Sequence, residues 1–252
     1  MRPSRPDAAG WAERDPTQID PAPAPPLRGR SSQWDSAEVV AGFVKSPANG
    51  PLLDLAAKEL GGTGRGRLLD IGCGAGRNGV PLARLGWDVL GCDFSEPMLA
   101  AAADRAASIG GPGRLRLLRA TMDSLPVASG TMDFVVAHGI WNLAPSAETF
   151  RRAVAEAARV ARPGAPLFVF TFSRHTLGPE ATPVPGERFV FTQFSGQPQC
   201  FLTQEELAAE LDAAGFGIVP DLPIVEYNRP RAGALLRGSG PVIYEAIFRR
   251  RA

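Results

Sequence analysis

Leu69-Asp70-Ile71-Gly72-Cys73-Gly74-Ala75-Gly76-Arg77-Asn78 is the stretch that decides the fold of this chain. The apolar run Arg67–Ile71 predicts a short strand, three glycines at alternate positions predict a tight turn, and Asn78–Leu85 predicts a helix ended by Gly86. Glycines at a strand-to-helix turn let the backbone approach a ligand with no Cβ in the way. The helix that follows opens with free N–H groups. Asp93 stands 23 residues after Asp70, at the end of a second predicted strand, Trp87–Cys92. A carboxylate at that place can accept both hydroxyls of a ribose.

Outward from the turn the same rhythm repeats. An alanine-rich helix is expected over Pro97–Ile109, with Ser95 or Glu96 near its start, then strands over Leu115–Arg119 and Met132–Ala137. A helix over Ala147–Arg162 is stopped by Pro163-Gly164, and Leu167–Phe172 is the fifth strand. Alternation of this kind predicts an α/β fold with a mostly parallel sheet and helices on both faces. The last third departs from it. Ser173–Cys200 is a proline-bearing insertion whose middle, Arg188–Phe194, reads as an additional strand. Thr203, with Glu205 and Glu206, opens a helix reaching Gly215, and Phe216–Val219 and Val242–Phe248 read as a sixth and a seventh strand.

Ahead of the turn, Trp34, Val39, Val40, Phe43 and Val44 fall near a helical repeat, with Asp35 or Ser36 as its cap. Pro47–Gly50 interrupts, and Leu52, Leu53, Leu55, Ala56 and Leu60 continue as a second helix ended by Gly61-Gly62. Residues 1–30, with seven prolines, read as a flexible tail. The expected organisation is a tail over 1–30, an N-terminal helical lid over 31–66 and a main domain over 67–252, with the insertion 173–200 covering the acceptor site.

At 252 residues and 44% hydrophobic content the chain can bury one substantial core. The 27 Lys+Arg against 26 Asp+Glu give a formal charge of +1, which exerts no long-range pull toward nucleic acid or an anionic membrane. No apolar run reaches the ~18 residues of a membrane span, and Met1–Gly10 lacks the apolar stretch of a signal peptide. Cys73, Cys92 and Cys200 form neither a disulfide framework nor a spaced metal cluster, so a reducing cytoplasm is expected.

The turn alone also admits a dinucleotide, because Gly74, Gly76 and Gly79 match GxGxxG. Two features speak against an NAD-dependent oxidoreductase. Asp70 immediately precedes the turn, where it would repel a pyrophosphate, and the glycines Gly72, Gly74 and Gly76 are too closely spaced for the dinucleotide fingerprint. A ligand with an ammonium group would instead welcome Asp70.

With its neighbours, the turn resembles that of the class I S-adenosylmethionine (SAM)-dependent methyltransferases of the small-molecule type, including those acting on quinones and secondary metabolites. Leu68–Gly76 looks like their first motif. Cys92-Asp93-Phe94-Ser95-Glu96-Pro97-Met98-Leu99 looks like their second, and Ala120–Pro126 with Met132–Val136 like the third and fourth regions. Val160–Gly164 looks like the turn before the fifth strand. The resemblance implies a seven-stranded Rossmann-like sheet whose last strand is antiparallel.

The resemblance also implies roles for residues of this sequence. Gly72, Gly74 and Gly76 would admit the methionine part of SAM, and Asp70 would orient its amino group. Asn78 would lie near its carboxylate. Asp93 would hold the ribose hydroxyls. Phe94 and Met122 would sandwich the adenine and Asp123 would accept from its N6, with Met98 in the same cofactor-binding motif. Ala137 and His138 would lie beside the sulfonium, and His138, near its usual pKa, is the candidate general base. Trp34, Phe43, Trp141, Arg174, His175 and Phe194 are the candidate acceptor-binding residues. Trp141 reads equally as helix packing, Arg174 as solvated surface and His175 as surface or packing.

No metal is expected, since SAM is already activated and His138, Asp133 and Cys92 have no ligand spacing. The acceptor is expected to be a small molecule. The Asn/Asp-Pro-Pro-aromatic motif of many nucleic-acid and glutamine methylases is missing after the fourth strand. A methylase for RNA or protein, and a SAM-binding protein without turnover, stay open as alternatives, as does a monomer or a homodimer.

Overall fold

A computed structural model describes residues 33–61, 64–107, 109, 113–229 and 240–252. The expected tail over 1–30 lies outside the described residues. The helices are α1 (Ala37–Lys45), α2 (Gly50–Leu60), α3 (Gly79–Arg84), α4 (Glu96–Ala106), α5 (Ala147–Val160) and α6 (Gln204–Ala213). The strands are β1 (Arg67–Ile71), β2 (Asp88–Asp93), β3 (Arg114–Arg119), β4 (Phe134–His138), β5 (Pro166–Phe172), β6 (Val190–Phe191), β7 (Gln199–Cys200), β8 (Phe216–Ile218), β9 (Val225–Tyr227) and β10 (Ile243–Arg250).

The main sheet runs β3-β2-β1-β4-β5-β10-β8, with β9 also paired to β10. Strands β3, β2, β1, β4 and β5 are mutually parallel, and β10 is antiparallel to β5, β8 and β9. The predicted seven strands are therefore present, with the last one antiparallel. β9 is an eighth that the sequence reading missed: it pairs with Ile243–Glu245 while β8 pairs with Phe248–Arg250, so the two share one edge of β10. Three residues alternating exposed and half-buried leave too little apolar pattern to detect.

Both faces of the sheet are covered. β1 and β4 are buried almost throughout, as parallel strands with helices on both sides must be. One core, with Leu69, Ile71, Val135, Ala137, Trp141, Phe150, Leu167, Val169 and Phe248, lies beneath α5 and α6. The other joins α2 and α3 through Leu52, Leu60, Leu68, Leu82, Phe134, Val136 and Phe168. Helix starts follow local chemistry. Ser36, Asn49, Ser95 and Ser146 each accept from a backbone N–H in the first turn of α1, α2, α4 and α5, and Thr203 with Glu206 forms a full capping box on α6.

The strand expected over Arg188–Phe194 shrinks to β6, which pairs only with β7 in a separate two-stranded sheet. This hairpin is fastened to the loop after β4. Cys200 Sγ lies 3.3 Å from the Ala144 carbonyl, and Phe189 meets Phe150 edge-on at 5.4 Å. Trp141 also packs edge-on against Phe150, at 6.0 Å. Phe150 thus ties α5, the loop after β4 and the insertion together, and it is fully buried. Phe150→Ala is expected to cost about 3–5 kcal/mol of unfolding free energy, read from urea titration at an unchanged m-value.

Candidate active site

Strand order reverses between β1 and β4: β2 and β3 lie on one side of that pair and β5 on the other. Above the carboxyl ends at such a point a crevice opens, because successive crossovers leave in opposite directions. Two loops meet there, since Ile71 at the end of β1 is level with Ala137 near the end of β4. Gly72, Gly74 and Gly76 all have positive φ, at 69°, 51° and 73°, a backbone region costly for side chains with a Cβ. Cys92 O accepts from both Gly72 N and Cys73 N, which holds the turn against β2.

The glycines differ in what surrounds them. A Cβ on Gly72 would collide with the Ile140 side chain, and one on Gly76 would press on Ala102 of α4 at 3.3 Å. A Cβ on Gly74 would meet only Phe43 of α1 at 3.5 Å and the Met98 sulfur at 3.9 Å. Phe43 therefore lies over the turn. Trp34 meets it edge-on at 5.8 Å, and Ser95 Oγ donates to Asp35 Oδ1 at 2.8 Å, tying the entry to α1 onto the start of α4.

Asp93 accepts from Gly74 N through Oδ2 at 2.9 Å and from Ser95 N through Oδ1 at 3.0 Å. An ionised carboxylate has about four acceptor positions, so both oxygens keep capacity for ligand hydroxyls. Burial raises its pKa, and the backbone N–H groups of Ser95 and Gly74 counter that. Asp70 is buried, and its Oδ2 has no hydrogen-bond partner. Burial pushes its pKa up to about 7 against the opposing pull of Arg77. A buried carboxylate oxygen without a partner beneath a side-chain-poor turn is the complement of a cationic nitrogen, and an adenosyl amino acid carries an ammonium and ribose hydroxyls. These residues fit such a ligand.

Phe94, Met122 and Asp123 are each half-buried. Met122 packs on the core beneath α5, and Asp123 pairs with Arg152 at 3.0 Å. Asn78 is the first residue before α3, makes no side-chain cap there, and accepts from Asn49 N at 3.0 Å.

His138 departs from its expected role. Its ring stacks on Phe170 with centroids 4.1 Å apart and planes 9° from parallel. Arg77 Nη2 lies 2.8 Å from Nδ1 and 3.4 Å from Nε2, which puts the guanidinium over the imidazole face. Asn49 Nδ2 stands 3.4 Å from Nε2. Burial, reinforced by the Arg77 charge, pulls the imidazole pKa down to about 3. The ring stays neutral, and as a proton acceptor it is far weaker than an ordinary histidine. This packing speaks against the general-base role expected of His138.

Two acceptor-site candidates are engaged within the protein. Trp141 is fully buried among core residues and walls no opening. Arg174 is held inside the insertion: its guanidinium donates to the Ala181 carbonyl at 3.0 Å and lies 4.6 Å from the centre of the Phe191 ring. His175 pairs with Glu226 Oε1 at 2.6 Å, where Ser173 Oγ also donates. Phe194 is 45% exposed and leans on Phe172 and Phe201.

The sequence reading missed Asn49 and Glu245. Asn49 Nδ2 donates to Glu245 Oε2 at 2.8 Å, and Asn49 Oδ1 caps α2. The signal for Glu245 was a lone charge inside the apolar run Val242–Phe248. Among the described residues no group of three or more His, Cys, Asp or Glu could hold a metal, and no helix is long and apolar enough to cross a membrane.

The state of His138 has a pH signature. The unfolded chain takes up its proton near pH 6.5, whereas the folded chain does so only near pH 3. Stability is therefore lost as pH falls through that window, by up to about 1.4 kcal/mol per pH unit. His138→Phe is expected to flatten the difference in unfolding free energy between pH 6.5 and pH 4.5 relative to the wild type, measured by urea titration at both values.

Residues 68–164 match the family described as "Methyltransferase domain". The chain is 37% identical over 126 residues to a ubiquinone/menaquinone biosynthesis C-methyltransferase of Syntrophotalea carbinolica, covering 48% of this chain and 50% of the relative. It is 32% identical over 155 residues to a ubiquinone biosynthesis O-methyltransferase of Sinorhizobium fredii, covering 60% of each. The chain thus spans about half to three fifths of the length of these curated relatives. A SAM-dependent methyltransferase structure from Methanosarcina mazei superposes with a TM-score of 0.62 at 23% identity, covering 75% of this chain and 94% of the other. Residues 68–164 thus match the methyltransferase-domain family model, and the chain has the fold of SAM-dependent methyltransferases.

Proposed function

We propose that this chain transfers the methyl group of SAM to a small organic acceptor. The observation that carries the reading is the glycine turn after β1, lying between the partner-free oxygen of Asp70 and the turn-bound carboxylate of Asp93. SAM supplies a methyl carbon activated by a neighbouring sulfonium. The protein's part is to hold donor and acceptor in line, which by itself is worth several orders of magnitude in rate.

In this reading Gly72, Gly74 and Gly76 admit the amino-acid tail, Asp70 faces its ammonium and Asp93 holds the ribose hydroxyls. Asn78 stands near the tail's carboxylate, and Ala137 lies beside the reacting centre. Phe94 and Met122 flank the adenine, Asp123 accepts from its amino group, and Met98 supports the turn from below. α1, with Phe43 and Trp34, closes the donor site, and the insertion 173–200 covers the acceptor, with Phe194 at its exposed rim and His175 in its first turn. The exposed Phe194 ring, backed by Phe172 and Phe201, favours a planar, apolar acceptor. The quinone-biosynthesis relatives favour the same class.

Asp93→Ala is expected to weaken binding of S-adenosylhomocysteine about 10- to 100-fold, the loss of hydrogen bonds to a charged group. Calorimetry measures this on protein with an unchanged far-UV spectrum, and unaltered affinity refutes the ribose assignment. Asp70 gives an independent check. With a pKa near 7 it is partly protonated at neutral pH, and an ammonium beside it favours the ionised form. Binding at pH 7 is expected to release protons, read from the dependence of calorimetric enthalpy on buffer ionisation enthalpy. Asp70→Asn is expected to abolish that release.

A further inference from the structure

His138, Phe170 and Glu245 form one row across β4, β5 and β10, level with one another at the carboxyl ends of the parallel strands. Glu245 is only 8% exposed. Its hydrogen-bond partners are two neutral donors, Asn49 Nδ2 at 2.8 Å on Oε2 and the Tyr227 hydroxyl at 3.2 Å on Oε1. No ion pair to Glu245 is found among the described residues. A buried carboxylate without a cation is costly and needs a reason to be kept. Three features supply one. Asn49 also reaches Nε2 of His138, so the carboxylate is one residue removed from the end of β4. Phe170 beside it is half-buried and presents a flat ring. Tyr227, 41% exposed, runs from Glu245 toward solvent.

We propose that Glu245 receives the proton of the methyl acceptor, and that the acceptor atom is accordingly a heteroatom bearing a hydrogen, a phenolic or enolic hydroxyl on a planar ring. The inference rests on the methyl-transfer reading above. An oxygen lone pair forms the new bond to the methyl carbon, and the carbon–sulfur bond breaks with its electron pair remaining on sulfur. The hydroxyl proton passes to the Glu245 carboxylate and from there to water at the Tyr227 end. No oxidant, reductant or further reactant enters the balance. His138, neutral and face-packed, shapes the row without taking the proton.

The experiment uses the full chain with SAM and two probes, catechol and 1,4-dihydroxynaphthalene. The second offers both a hydroxyl and a nucleophilic ring carbon. The expected result is O-methyl product by mass spectrometry and NMR. Glu245→Gln, near-isosteric and still able to accept from Asn49, is expected to lower kcat at least ~100-fold, the usual contribution of a positioned base, while S-adenosylhomocysteine affinity stays within twofold. Glu245→Asp is expected to recover part of the rate. Ring-carbon methylation, methylation of neither probe by a wild type that binds S-adenosylhomocysteine, or an unchanged rate in Glu245→Gln overturns the proposal and leaves methyl transfer standing. A wild type that binds no S-adenosylhomocysteine removes both. The product's identity needs no variant, so a Glu245→Gln chain that fails to fold still leaves the wild-type result decisive.

Discussion

Everything at the ligand end of this molecule depends on the parallel pairing of β1 with β4. Their register sets Ile71 opposite Ala137, and neighbouring strands diverge from this pair in opposite directions. The loops leaving β1 and β4 therefore come together at the point where a parallel sheet of this order binds its ligand, with Ile140 packed on Gly72. The backbone is bent hard at that point, with three residues at positive φ in five positions. Bonds from Gly72 N and Cys73 N to Cys92 O, and from Gly74 N to Asp93, hold the bend in place. The same contacts that stabilise the turn thus bring the end of β2 to its side.

A second constraint is electrostatic. Asp70, Arg77, His138 and Glu245 are ionisable groups gathered at one end of the sheet, and burial works against the charged form of the first three. The outcomes differ with the neighbours. Asp70 has one oxygen without a partner, and its proton is held to near neutrality. His138, beneath a guanidinium and against a phenyl ring, gives up its proton affinity. Glu245 is kept by two neutral donors. Asp70 and His138, both beside Arg77 and shifted in opposite directions, are a recurrent sign of a functional site.

α1 joins this end of the sheet through few contacts, whereas α2 is anchored in the core by Leu52, Ala56 and Leu60. α1 buries no residue completely, yet Phe43 covers Gly74 and Asp35 is fastened to Ser95. Asn49 does more than cap α2, because it also reaches Asn78 and Glu245. An element held by a handful of polar contacts over a side-chain-poor turn opens at lower cost than one buried in a core. The insertion after β5 is different: Phe189, Phe191 and Phe201 are buried, Phe189 packs on Phe150 of α5, and Cys200 fastens the β6–β7 hairpin to the loop after β4.

The sequence by itself determined the alternation of strands and helices, the glycine turn and the position of Asp93, because each is written in neighbouring residues. Period, cap and turn chemistry act over three to five positions, and Ser95 and Thr203 stand where helix starts require them. It could not reveal which polar groups share a site. Glu245 lies 196 positions from Asn49, and only the antiparallel return of β10 beside β5 brings them within hydrogen-bond distance. Nor could it say that Trp141 faces the core or that His138 is neutral, since burial and the field of Arg77 exist only once the chain has closed. Local pattern fixes the elements; proton affinity and exposure belong to the assembled environment, because both depend on charges and surfaces far away along the chain.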